Sequence, residues 1–113
     1  MELVQYIIVN NSLKMDKGKT AAQCAHASVS VLDKVDEDTV NDWKHLGMKK
    51  VVLKVNSTEE LVGLFEKVKK HLPCALITDA GRTQIEPGSK TCVGCGPVSE
   101  EDGQKYFKDL KLL

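Results

Sequence analysis

Apolar and β-branched residues fall in short runs with polar breaks between them. Leu3-Val4-Gln5-Tyr6-Ile7-Ile8-Val9 predicts a buried strand, and Asn10-Asn11-Ser12 ends it. Lys50 to Asn56 predicts a second strand. Ser57 then stands as N-cap with Glu60 at the third helical position, a capping box, and Leu61, Leu64, Phe65 and Val68 continue at helical spacing. Lys67, Lys69 and Lys70 suit the negative end of that helix, and Pro73 stops it. Cys74 to Thr78 predicts a third strand and Thr91 to Cys95 a fourth. Ser99 caps a last helix, with Glu100, Glu101 and Asp102 in its first turn and Tyr106, Phe107 and Leu110 on its apolar face. Between the first two strands, Lys19 to Val35 reads as one long helix. Thr39 to Leu46 reads as a shorter one, with Trp43 and Leu46 inward and Gly47 as its stop. This alternation predicts an α/β fold: a single compact domain over residues 1–113, a mixed four-stranded sheet with helices on both faces.

The length of 113 residues suits one domain, and 42% hydrophobic with 28% charged residues is ordinary for a globular chain rather than a disordered one. The longest apolar run, Tyr6 to Val9, is far short of the roughly 18–20 residues of a membrane span, and no secretory signal is legible. The expectation is therefore a cytoplasmic protein with no membrane association. Sixteen basic residues balance sixteen acidic ones, which excludes nucleic-acid binding through bulk positive charge. A local patch remains open, because Lys14, Lys17 and Lys19 crowd one stretch. Arg82 is the sole arginine, the side chain suited to bidentate phosphate or carboxylate contacts.

Three segments break local rules. Lys19, Gln23, His26 and Ser30 fall on one face of the alanine-rich long helix. A solvated face is the plainer reading, yet such faces carry Glu and Lys, whereas Gln23 and His26 both donate and accept hydrogen bonds. Lys19 also adds positive charge to an already positive helix start, which suits an anion such as phosphate. The second segment, Asp79 to Ser89, begins where the third strand ends, the place where α/β sheets put ligand crevices. Asp79 there acts as a base, orients one, or simply caps a turn. In the third, Cys92-Val93-Gly94-Cys95 with His71 and Cys74 sketches a zinc knuckle. Against that, positions i and i+3 of a strand point to opposite faces, and cysteine is often a small buried residue. Gly18-Lys19-Thr20 mimics the tail of a phosphate-binding P-loop, but Leu13 stands where the motif needs glycine.

Lys17 to Ala27 (KGKTAAQCAHA) together with Asp79 to Ser89 (DAGRTQIEPGS) resembles the archaeal/eukaryotic-type peptidyl-tRNA hydrolase family, and Thr91, Gly94, Gly96 and Pro97 resemble its final strand. The likeness runs from about Gln5 to Leu112. It implies an enzyme that cleaves the ester joining a peptide to the 3′ end of tRNA, recycling tRNA after aborted translation, with no metal or other cofactor and commonly as a homodimer. By motif position it implies Lys19, Gln23, Asp79 and Thr83 as active-site residues with His26 adjacent, and Lys17 and Arg82 as contacts to the tRNA backbone. On this reading Asp79 takes a proton from, or orients, the water; Lys19 stabilises negative charge; and Gln23 and Thr83 hold water or the ester carbonyl. His26 is expected to hydrogen-bond behind them. Asp16 stands where many relatives have glycine, and Cys92 and Cys95 where they have aliphatic residues. The other readings are a non-catalytic RNA-binding module and the zinc-knuckle interaction module.

Overall fold

A computed structural model describes residues 2–81 and 86–113. The elements in order are β1 (Leu3–Asn10), α1 (Lys17–Ser30), α2 (Glu37–His45), β2 (Lys50–Val55), α3 (Thr58–Val68), β3 (Cys74–Thr78), β4 (Lys90–Ser99), α4 (Glu100–Phe107) and β5 (Lys111–Leu112). They form one mixed sheet in the order β3-β4-β1-β2-β5, with β1 parallel to β2 and the other pairings antiparallel. The sheet has five strands rather than the expected four. β5 escapes the pattern because it is two residues long, pairing only Leu53 with Leu112 and Lys54 with Lys111.

β1 is the central strand, and its alternation supplies two cores. Tyr6 and Ile8 join Leu53, Leu61, Val93 and Phe107 beneath α3 and α4, while Ile7 and Val9 join Ala27 and Cys92 beneath α1. Helices therefore cover both faces. Ser57 accepts a hydrogen bond from the Glu60 N–H at 3.0 Å, and Ser99 from that of Asp102 at 3.1 Å, so both caps form as read.

The long helix ends earlier than expected. α1 stops at Ser30, and Val31–Lys34 winds into a 3₁₀ turn before Val35 goes extended. No glycine or proline marks that change; the β-branched Val29 and Val31 are the nearest local reason. α2 begins at Glu37 because Asp36 caps it through the Thr39 N–H at 3.0 Å. Trp43 is buried and donates from Nε1 to the Lys49 carbonyl at 3.0 Å, but Leu46, expected inward, is 67% exposed. It follows the last helical residue and precedes Gly47 at φ 104°, so the chain has already turned away from the core.

β4 runs on to Ser99 through Gly94, Gly96 and Pro97, residues that ordinarily break strands. The register shifts between Val4 and Tyr6 on the partner strand, and Pro97, which has no N–H to donate, sits opposite that irregularity. Gly94 meets a different need. A Cβ there would lie 2.5 Å from the carbonyl oxygen of Ala27, so α1 rests directly on the β4 backbone. Among the described residues no helix is long and apolar enough to cross a membrane.

Candidate active site

β1 and β3 both run antiparallel to β4, so their carboxyl ends lie at the same end of the sheet. α1 starts at that end, and Asp79 directly follows β3. The helix start is built by Asp16, whose carboxylate accepts from the Lys19 N–H at 2.8 Å. That bond occupies a backbone donor an external phosphate would need.

Lys19 then turns inward. Its Nζ donates to Oδ1 of Asp79 at 2.5 Å, and the two side chains are only 7% and 2% exposed. Oδ2 of Asp79 accepts the Gly81 N–H at 2.8 Å. The backbone around Asp79 is fastened to the returning chain as well, its N–H donating to the Ser89 carbonyl at 2.9 Å and its carbonyl accepting from Gly88 at 3.1 Å. An ion pair this buried persists only with close geometry and further hydrogen bonds, and it has both.

One turn along α1, Gln23 is also buried. Its Oε1 accepts from Oγ1 of Thr91, a fully buried residue of β4, at 2.6 Å. With Oε1 engaged, the amide NH₂ has no bond to another described residue and is left for a ligand. Thr91 is the site residue that sequence reasoning missed; it was read only as part of the final strand. A polar residue at the start of an otherwise apolar strand is the available signal.

These groups share an open cavity of about 440 Å³. Lys19, Gln23, His26 and Ser30 form one wall, as the helical spacing predicted, and Ile77 and Asp79 belong to the other. His26 is exposed on this wall and makes no hydrogen bond to another described residue. It therefore meets the cavity directly. Lys17 is not in this group: it is exposed and faces a second, apolar cleft on the other flank of α1. Arg82 and Thr83 lie outside the described residues.

The zinc-knuckle reading fails on geometry. Cys74 and Cys95 are cross-strand neighbours in the core under α3 and α4, whereas Cys92 lies in the core under α1, with the sheet between. His71 stacks on Tyr106 at 5.8 Å. No cluster of three metal-ligating side chains occurs among the described residues. The four thiols are free, and a hydrogen bond between Cys24 and Cys92 pulls the Cys24 thiol below its usual range and pushes that of Cys92 up. Cys95 is likewise raised, first by its hydrogen bond with Cys74 and then by burial.

A cavity walled by an ammonium, a carboxylate and a free amide NH₂ suits attack of water on a carbonyl group. Comparison with known proteins points the same way. A family model described as "Peptidyl-tRNA hydrolase PTH2" matches residues 3–113. A peptidyl-tRNA hydrolase of Methanococcus maripaludis (strain C7) is 54% identical over 113 residues, covering 96% of this chain and 97% of its own. One from Methanothermobacter thermautotrophicus is 46% identical over 110 residues, covering 96% and 98%. One from Saccharolobus solfataricus is 41% identical over 115 residues, covering 95% and 96%.

Proposed function

The chain belongs to the peptidyl-tRNA hydrolase PTH2 family, and from that premise we propose that Lys19, Gln23 and Asp79 carry out its reaction in the ion-paired cavity. The reaction is hydrolysis of peptidyl-tRNA at the ester between the peptide and the tRNA 3′ end, which returns tRNA to translation. Attack of water turns the ester carbonyl into an oxyanion. The Lys19 ammonium and the Gln23 amide NH₂ stabilise that charge, and Asp79 aligns the water, receives its proton and returns it to the tRNA 3′ oxygen as the oxyanion collapses and the ester C–O bond breaks. Thr91 holds the Gln23 amide so that its donor side faces the substrate. Thr83 is assigned to the same carbonyl or water by motif position alone. His26, on the cavity wall, meets the leaving 3′ end, and Lys17 and Arg82 meet the tRNA backbone.

The observation that carries this reading is the 2.5 Å Lys19–Asp79 pair at the wall of an open cavity. Its test is release of peptide from purified peptidyl-tRNA by Lys19→Ala and Asp79→Asn. Each is expected to lower kcat/KM by about 10²–10⁴-fold in folded protein. Near-normal rates remove the assignment. A homodimer acting in the cytoplasm completes the proposal, with light scattering across a dilution series as the check on the dimer. Its contacts with tRNA phosphates should make KM climb steeply with salt.

A further inference from the structure

On the other flank of α1 from the ion pair lies an apolar cleft of about 730 Å³. Val9 and Val52 form its floor on the sheet, Met15 and Cys24 come from the α1 side, and Leu112 and Leu113 belong to the segment beyond β2. Leu112 is 70% and Leu113 50% exposed, a state that large apolar side chains keep only at the expense of contact with water. α1 contributes side chains to both this cleft and the catalytic cavity. Lys17, Thr20 and Ala21 face the cleft, and Lys19 and Gln23 face the cavity.

We infer that this cleft binds apolar side chains of the peptide in peptidyl-tRNA, those upstream of the residue esterified to the tRNA. The inference rests on the catalytic reading of the Lys19–Asp79 pair. A helix with its side chains is about 10 Å wide and an extended peptide advances about 3.3 Å per residue. A peptide leaving the ester therefore reaches the cleft at about its second to fourth residue. The lining selects the occupant. Among the described residues no aromatic side chain lines the cleft, so they offer no ring on which a nucleobase could stack. Aliphatic side chains and Met15 instead match an aliphatic chain. Asn11 stands at the rim, half-buried; its backbone carbonyl accepts from the Lys14 N–H, while its carboxamide makes no hydrogen bond to another described residue and can pair with a peptide group. The arrangement gives peptidyl-tRNA a hold that aminoacyl-tRNA, with a single residue, does not reach.

The test compares two substrates with the same esterified residue, acetyl-Leu-Leu-Leu-Gly-tRNA and acetyl-Ser-Ser-Ser-Gly-tRNA. The wild type is expected to favour the leucine substrate in kcat/KM by about tenfold or more, the discrimination that apolar pockets typically supply. Ala21→Trp, at an exposed position on the cleft wall, should fill the cleft and bring the ratio close to one. Independently of turnover, acetyl-Leu-Leu-Leu-amide should shift the backbone amide signals of Val9, Val52 and Leu112. A wild-type ratio near one, or a ratio untouched by Ala21→Trp, overturns the inference. So do cleft signals that follow protein dilution and ignore the peptide, which would seat a second copy of the chain there. Normal hydrolysis by Lys19→Ala defeats the catalytic reading instead, and the amide shifts still report on the cleft.

Discussion

Replacing Gly94 by alanine tests whether the seat of α1 on β4 sets the geometry of the active site. The added Cβ would lie 2.5 Å from the carbonyl oxygen of Ala27, 3.0 Å from its carbonyl carbon and 3.3 Å from its Cβ. Carbon–oxygen contacts settle at about 3.3–3.6 Å, so α1 must lift by about 0.8 Å. The obstruction is helix backbone, which has no rotamer to escape into. Overpacking of this kind costs about 1–3 kcal/mol, and each kcal/mol lowers Tm by roughly 4–8 °C in domains near this size. Lys19 and Gln23 ride on the displaced helix while Asp79 stays with β3. A misplacement near 1 Å costs up to about 100-fold in rate. Two measurements on one preparation check this: Tm by circular dichroism, and kcat/KM for peptide release well below Tm. Gly63→Ala is the control, since a Cβ in that helical position meets nothing within 4 Å and should add about 1 kcal/mol of stability with no loss of rate. A Gly94→Ala protein with wild-type Tm and turnover would refute the close seating of α1 and its role in alignment.

Gly103→Ala should be more damaging to stability, because its Cβ would sit 2.1 Å from the Tyr6 ring in the core; loss of a cooperative transition or a fall of several kcal/mol is expected in urea melts, and a shift under 0.5 kcal/mol counts against the packing. Tyr6→Phe acts in the opposite sense: the Tyr6 hydroxyl is buried without a hydrogen-bond partner among the described residues, so its removal should leave stability equal or up to about 1 kcal/mol higher, and a clear loss would reveal a missing partner. Iodoacetamide should modify Cys24 first, since it is half-buried and its thiol is held low by Cys92. Its rate should rise with pH through a midpoint below that of a free cysteine, near 8.5, while Cys74, Cys92 and Cys95 stay protected; equal labelling of all the cysteines sinks this reading.

Local chemistry made much of this molecule readable. β3 appears with the bounds its apolar run suggested, and Ser57 and Ser99 cap the helices that follow them. The 3.6-residue period was enough to gather Lys19, Gln23, His26 and Ser30 on one wall. What stayed hidden was set by contacts distant in sequence. The salt bridge of Lys19 with Asp79 spans 60 positions and the Gln23–Thr91 bond spans 68, and no local pattern announces either. Lys17 was grouped with Lys19 by proximity in the chain, but two residues along a helix is a rotation of about 200°, which carries it to the opposite flank. The expected fourth strand, Thr91 to Cys95, stops short of Gly96 and Pro97, whereas β4 continues to Ser99 because an irregular register makes room for them. Asp16, which stands where many relatives have glycine, is the N-cap of α1.

Among the described residues, β3 is an outermost strand of the sheet, bonded to β4 alone. Asp79 thus hangs from a margin that local fluctuations open first. The ammonium of Lys19 crosses from the helix and clips that margin down, so the amine that meets the substrate also keeps the carboxylate from drifting away. Such a hinge-and-clasp arrangement ties upkeep of the fold to turnover in a single side chain, and hydrogen exchange at Ile77 and Thr78 would register the clasp letting go.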